Sequence, residues 1–563
     1  MKAMLRKYIL LALLAFLCAR LGAQPQIRER TYVQTDKEIY LAGELVWLKM
    51  ITTDEEGVPM TFSQIGYVEL LDGSSSKAQG KLQLREGTGS GTLVIPAELP
   101  GGTYRLVGYT RYMRNESPDI FFEKTIGVVN PLSAEIARSE HHTEELFPAS
   151  PVERPGTGQR IRLSTGSESL APRERVGLRI DGIPADIHTL SVSVVRQGVA
   201  GELPASGLPD WREELSRLPS APVSREYLAE YEGHIISARL TNGESNGFVD
   251  PRWLSAMLAF PGNDIQLFPG IVNQNGRIDF FTQRAEGYTE VATSLLGSNA
   301  AQYRLDLESP FLRNHTVKPA PLLDISRLDA DEVRKRSVAM QVQYSFVNDS
   351  LSRFDYPAPL FFPQPGKRYL MEEYVRFGTL PEVFIEFVTF VRFTRIGNKR
   401  YISVAREETG FSNNQTLVLL DGIPVLDHEL LYDYNPLLLH RIDVYYDRYQ
   451  VGGRNYNGIV ALYTENNRYP ELTPDPATRI FQYESPQAPR LFFSPDYSSG
   501  SGGNRLPDYR TTLYWNPEIE TGGESSVSVP FYTSDLTGRY RIVVEGLTDS
   551  GEVVCGTTDF SVR

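Results

Sequence analysis

Chemistry in a protein chain needs nucleophiles, metal ligands, paired carboxylates or phosphate cradles at workable spacing, and this 563-residue sequence holds few of them. His141-His142 is the densest imidazole pair, but neither a His-Glu-x-x-His helix nor a cysteine pair accompanies it. The two read as linker histidines, and no metal centre is expected. Gly87-Thr-Gly-Ser-Gly-Thr92 lacks the lysine of a phosphate loop and runs into Leu93-Val-Ile95, the pattern of a hairpin turn. Asp54-Glu-Glu-Gly57 and Asp421-Gly422 offer oxygen ligands without the spaced carboxylates of a calcium loop. Cys555, in Glu552-Val-Val-Cys-Gly556, reads as a buried strand thiol. No catalytic residue and no cofactor follow from these patterns, so the expectation is a protein that is not an enzyme. Binding chemistry remains. Tyr445-Tyr-Asp-Arg448-Tyr449, with Arg454 and Tyr456 close behind, concentrates the side-chain types that dominate contact surfaces, although about half of a strand's residues face its core.

The length allows roughly three to five domains at about 100–200 residues each. Apolar residues are 41% and charged residues 23%, which excludes wholesale disorder and a polytopic helical membrane protein. A net charge of −13 argues against nucleic acid or an anionic membrane as a general partner, since either would need a local basic patch. Residues 1–23 read as a secretory signal: Lys2, Arg6 and Lys7 precede a short apolar run, and Leu21-Gly22-Ala23 ends it. Its removal takes four basic and no acidic residues, leaving −17 and one cysteine, so no internal disulfide is available. Cys18 follows Ala15-Phe16-Leu17, which lacks the small residue expected before a lipidated cysteine, so removal with the signal is favoured over lipidation.

Past the signal no apolar run reaches spanning length. Short alternating stretches rich in Val, Ile, Tyr, Phe and Thr recur between Gly, Pro, Asn and Asp turns, the pattern of β-sandwiches in series. The expected fold class is mainly β: immunoglobulin-like or macroglobulin-like sandwiches plus one small α+β domain, with no transmembrane barrel. The expected boundaries are a first sandwich over 24–130, a linker over 130–158, a second sandwich over 159–200 and a helical connector over 205–232. A third sandwich over 233–312, the α+β unit over 355–470, a flexible tract over 485–509 and a last sandwich over 505–563 complete the chain. Thr379-Leu-Pro-Glu382 carries the signature of a helix N-terminus with a capping box.

Two stretches resemble known families. Thr31-Tyr-Val-Gln-Thr35-Asp36-Lys37-Glu-Ile-Tyr40-Leu-Ala-Gly43-Glu resembles the opening of the second macroglobulin domain of the alpha-2-macroglobulin and complement superfamily. The resemblance implies a β-sandwich. It does not bring the superfamily's thioester, because no cysteine stands beside a Gly-Glu-Gln segment. The tract 380–466 resembles the plug domain of TonB-dependent outer-membrane receptors. Three runs carry it in order: Leu417-Val-Leu-Leu-Asp421-Gly422-Ile-Pro424, then His440-Arg441-Ile442-Asp-Val444, then Gly452-Gly453-Arg-Asn-Tyr-Asn-Gly458. A receptor would continue into some twenty lipid-facing strands, and fewer than a hundred residues follow Asn466. The implication is a plug-like module without its barrel. Residues 232–240 faintly resemble the carboxypeptidase-regulatory-like domains that often precede plugs.

The combined expectation is an exported, non-enzymatic protein in the periplasm or at the outer membrane of a Gram-negative cell. It would dock onto an envelope protein such as an outer-membrane barrel, without a transmembrane span of its own and without nucleic acid. A glycan-binding or adhesive surface protein and a macroglobulin-like protease regulator are the alternatives.

Overall fold

The computed structural model describes residues 27–133, 142–146, 159–197, 207–219, 222–242, 254–322 apart from 274, 284–285, 288–289, 298–299 and 319, then 330–346, 364–406, 410–411, 416–465, 477–498 apart from 489, and 507–563. The expected signal, His141 and most of the glycine-serine tract lie outside the described residues. Among the described residues, no helix is long and apolar enough to cross a membrane. The fold is mainly β, built as two compact units: 1–231 with 314–353 and 489–563, and 232–313 with 354–488.

In the first unit, one sheet joins Arg30–Thr35, Leu45–Thr53 and Thr88–Val94. A five-stranded sheet joins Ile39–Leu41, Phe122–Val129, Gly102–Thr110, Ile65–Asp72 and Ser75–Gln83. Gly87 closes the expected hairpin turn at φ +79° beside Glu86 at +51°, the pair of positive φ values a two-residue turn of this hand requires. The helix Leu208–Leu215 completes this core, with Trp211 against Tyr32 and Leu208 and Leu215 in the same buried cluster. The carboxylate of Glu545 accepts from Leu208 N at 3.0 Å and from the Tyr32 hydroxyl at 2.9 Å, which holds the helix start to the strand Gly538–Thr548. The rest of the expected helical connector differs: residues 222–231 form no helix, because Asn115 and Gln64 bind their backbone groups instead. Within the expected 130–158 linker, His142–Leu146 is a strand paired in parallel with Ala320–Leu322.

The second and last sandwiches expected from sequence are one. Ile187–Arg196 pairs antiparallel with Gly538–Thr548 and with Thr512–Asn516, and Arg175–Asp181 pairs with Ser526–Tyr532. Val176, Leu178, Val192 and Val194 share a single core with Leu513, Phe531, Ile542 and Phe560. Neither half could bury its sheet alone: 159–200 supplies one inward face and 505–563 supplies its complement. Cys555 lies in this sheet half-buried, not fully buried as expected.

In the second unit, the sandwich at 233–312 pairs a three-stranded sheet with a four-stranded one that borrows Thr478–Gln482 from beyond the α+β domain. The strand Ser255–Phe260 is buried on both faces. Alternation sends Ala256, Leu258 and Phe260 into the sandwich core, and Met257 and Ala259 into the α+β core. The expected boundary between these domains therefore divides one packed body. The α+β sheet runs in the order Lys367–Leu370, Leu439–Val451, Arg454–Thr464, Leu417–Leu420, Ile423–Pro424. The helix Leu380–Glu386 packs beside it with both capping-box bonds formed, Glu382 N to Thr379 Oγ1 and Thr379 N to Glu382 Oε2.

Candidate functional site

The Thr35-Asp36-Lys37 turn is buried inside the first unit. Asp36 Oδ1 accepts from the Trp47 backbone at 3.1 Å and lies 2.8 Å from the Tyr40 hydroxyl, while Oδ2 accepts from Thr512 Oγ1 at 2.8 Å. The Asp36 carbonyl accepts from Ser193 Oγ at 2.7 Å. The motif thus joins the first sandwich to the composite one. Lys37 sits 3.2 Å from Glu44, which Arg336 of the helix Ala330–Phe346 also grips at 2.8 Å. Burial pushes the Glu44 carboxyl up, but Arg336 and Lys37 outweigh it and hold the group at about 2. Burial, then the Asp36 charge, pushes the Tyr40 hydroxyl well above its ordinary value. Gly43, at φ +90°, holds a left-handed backbone that disfavours any side chain, although a Cβ there would meet Met340 Cε only at ordinary contact distance, 3.5 Å. These five residues make a joint and a socket, with no exposed binding surface among them.

In the second unit, the three runs at 417–424, 440–444 and 452–458 come together on one sheet. Asp421 is fully buried at φ +47°, and its carboxylate accepts from Thr464 N at 2.7 Å and Thr464 Oγ1 at 2.6 Å. It pins the end of Leu417–Leu420 to the end of Arg454–Thr464. Gly422, at φ +83°, brings the turn within 3.2 Å of the Phe260 carbonyl, measured from where a Cβ would stand. Pro424 pairs with Leu419 across the turn, and Ile442 and Val444 are core residues. Arg441 lies over the Tyr463 ring at 3.8 Å and donates to the Asn263 carbonyl at 2.6 Å. Gly458, at φ +95°, leaves no room for a side chain: a Cβ would stand 2.8 Å from Val404 Cβ and 2.9 Å from the Tyr445 carbonyl. Gly452 and Gly453, at +58° and +74°, form a two-residue hairpin turn.

That turn caps a two-stranded ribbon. Lys367–Leu370 covers Leu439–Val451 only at 441–444, and Leu417–Leu420 covers Arg454–Thr464 only at 459–462. Between them, residues 448–457 continue as an antiparallel pair, with Tyr449 opposite Tyr456 and Arg448 opposite Asn457. Arg448 and Arg454 are exposed, and Tyr449 and Tyr456 are half-buried. Tyr445 departs from expectation. It is buried in the core, with its hydroxyl pushed up to about 12 by burial and by Asp443, because it still lies in the regular ladder opposite Ile459, where Ile442, Asp443, Val444 and Tyr445 are buried on both faces of the sheet.

Several residues of the unit escaped the sequence reading. Arg368 grips the buried Asp443 through two bonds, of 2.8 and 3.0 Å. Buried His428 accepts from Ile402 N at 3.1 Å, and burial lowers its pKa to about 4. Phe390 is exposed at φ +64°, an uncommon conformation for an aromatic residue, and its ring meets Tyr446 edge-on at 6.1 Å. Nearby, Tyr374 stacks on Phe387 at 4.3 Å and Phe377 lies 6.2 Å from Phe387. The Arg-Ile-Asp-Val run was a usable signal for Asp443, since a carboxylate between two core residues needs a cation. Nothing local marks Phe390. Among the described residues, no group of three His, Cys, Asp or Glu side chains could hold a metal ion.

No family model and no curated protein matches the chain. Among solved structures, it is similar to Salmonella alpha-2-macroglobulin reacted with methylamine (11% identity, 95% of this chain and 39% of that one, TM-score 0.24). It is similar also to Escherichia coli alpha-2-macroglobulin activated by porcine elastase (10% identity, 95% and 43%, TM-score 0.23). The Escherichia coli adhesin FdeC is a further neighbour (10% identity, 52% and 66%, TM-score 0.16). The chain spans about two fifths of the length of these macroglobulins.

Proposed function

We propose that this protein is exported and acts without catalysis, docking through its plug-like unit onto an envelope protein such as an outer-membrane barrel. One observation carries the reading. The motif residues Asp421, Gly422, Pro424, Ile442, Val444 and Gly458 are spent on the fold, whereas the ribbon beyond 445 exposes Arg448 and Arg454, with Tyr449 and Tyr456 beside them packed partly against the core. Arginine and tyrosine are the residues that most often anchor protein contacts. The test is affinity purification of the tagged chain from gently solubilised outer membranes, beside an Arg448→Ala/Arg454→Ala variant. A near-stoichiometric barrel protein held by the parent and lost by the variant supports the reading. Recovery of the parent alone in the soluble fraction overturns it.

A second reading, glycan binding or adhesion, is favoured by exposed Phe390, whose ring meets Tyr446 edge-on. Aromatic faces supply large contact area at low entropic cost. Binding to an immobilised glycan panel that is lost on Phe390→Ala would favour it.

A further inference from the structure

The outer face of the five-stranded sheet in the first unit would be wet in an isolated sandwich, yet Tyr67, Glu69 and Tyr109 on it are wholly buried. Two separate stretches supply their partners. One is 222–231, the last part of the chain before it passes to the second unit. The other is 314–318, the first part after it returns. In the outgoing stretch, the Glu230 carboxylate accepts from the Tyr67 hydroxyl at 2.9 Å, and Asn115 Nδ2 donates to the Tyr227 carbonyl at 2.7 Å. In the returning stretch, His315 Nε2 lies 3.0 Å from Glu69 Oε1, Arg105 donates to the Thr316 carbonyl at 2.6 Å, and Lys318 meets Glu123 at 2.9 Å. Glu69 also accepts from the Tyr109 hydroxyl at 2.6 Å and from Gln79 at 2.8 Å. The Tyr67 and Tyr109 rings stack at 5.5 Å, 16° from parallel, and Phe121 extends the stack at 4.5 Å. Glu230, Tyr67, Tyr109, Glu69 and His315 therefore form one unbroken chain of contacts.

Apolar residues would cover a sheet face at lower desolvation cost, whereas a buried polar network is stable only while every member keeps its partner. Removing His315 withdraws a donor from a carboxylate with no solvent to replace it. The shift that follows in Glu69 and Tyr109 is passed by the ring stack to Tyr67, whose hydroxyl holds Glu230. We infer that this network couples the two crossings, so that the exit at 222–231 and the return at 314–318 are held or released together.

Amide hydrogen exchange on the full chain tests the coupling, read in peptides covering 224–231 and 314–318. His315→Ala is expected to speed exchange about tenfold in both stretches, from loss of a charge-assisted hydrogen bond worth at least one decade of opening equilibrium. Glu230→Gln should speed 314–318 in return, because coupling between two sites is reciprocal. Tyr109→Phe keeps the ring stack and removes one hydroxyl, so it serves if His315→Ala fails to fold, with a several-fold increase expected at both stretches. Faster exchange on the substituted side alone overturns the inference. So does an equal increase at Arg30–Thr35, which would mark general destabilisation.

Discussion

Asp421 is the most exacting test of how the α+β sheet is held. Its two oxygens accept bonds of 2.7 and 2.6 Å from Thr464 in a site with no solvent access. A hydrogen bond to a charged group contributes roughly 1.5–3 kcal/mol, so Asp421→Ala forfeits about 4 kcal/mol and leaves the Thr464 N–H buried without its acceptor. Alanine adds a cost of about 1 kcal/mol at φ +47°, a conformation aspartate and asparagine tolerate better. Asp421→Asn retains an acceptor for the Thr464 amide and can turn its NH₂ to the hydroxyl, so its cost should stay near about 1 kcal/mol. Hydrogen exchange in peptides spanning 416–422 and 459–465 reads the difference directly. At about 1.4 kcal/mol per decade, alanine should speed opening by roughly three to four orders of magnitude and asparagine by about fivefold. The reasoning is refuted if alanine opens the sheet less than tenfold, or if asparagine costs as much as alanine.

Three further outcomes are expected. Gly458→Ala should prevent the second unit from folding, since its Cβ would collide with Val404 and the Tyr445 carbonyl, whereas Gly453→Ala, with nothing within 4 Å, should cost only the left-handed penalty of about 1 kcal/mol; circular dichroism melts would rank them. Glu44 has a folded pKa of about 2, below its unfolded value, so its contribution is complete above about pH 4.5 and fades as pH falls toward 2. Urea midpoints of the parent and Glu44→Gln should converge over that window, and constant separation would count against the Arg336 socket. His428 is also depressed, to about 4, so the second unit should weaken as pH falls from about 6.5 to 4, when the unfolded chain takes up a proton that the folded one refuses; exchange at Lys399–Arg406 should rise over the same range.

The parts legible in the sequence were those fixed by nearby residues. Thr379 and Glu382 announce their helix because both capping bonds form within four positions. The strands around Leu417, Ile442 and Ile459 announce themselves through alternation and flanking turns. Pairing at long range left no local mark: nothing in 159–200 states that its missing face lies near residue 540. Asp36 reads as a polar turn residue, and its bonds to Thr512 and to the Ser193 hydroxyl appear only when two sandwiches meet. Tyr445 reads as an interface candidate from residue type alone, and composition cannot tell which residues of a strand lie where neighbouring strands cover both faces. Arg448 and Arg454, past the bulge, stand exposed.

The composite sandwich also sets a timetable. Ser191 donates to the carbonyl of Glu545, 354 positions away. Closing so long a loop costs only roughly 2 kcal/mol more than closing one a tenth its length, so thermodynamics barely resists the arrangement. Synthesis is less lenient. At roughly 5–20 residues per second, Ile187–Arg196 waits about 20–70 s for its central neighbour Gly538–Thr548 to be made. Over that interval its ladder groups stand open to any other extended chain, and it is here that a newborn molecule is most exposed to mispairing. The second unit has all its described strands by Gln482, so the inserted body can finish while its host is still waiting to close.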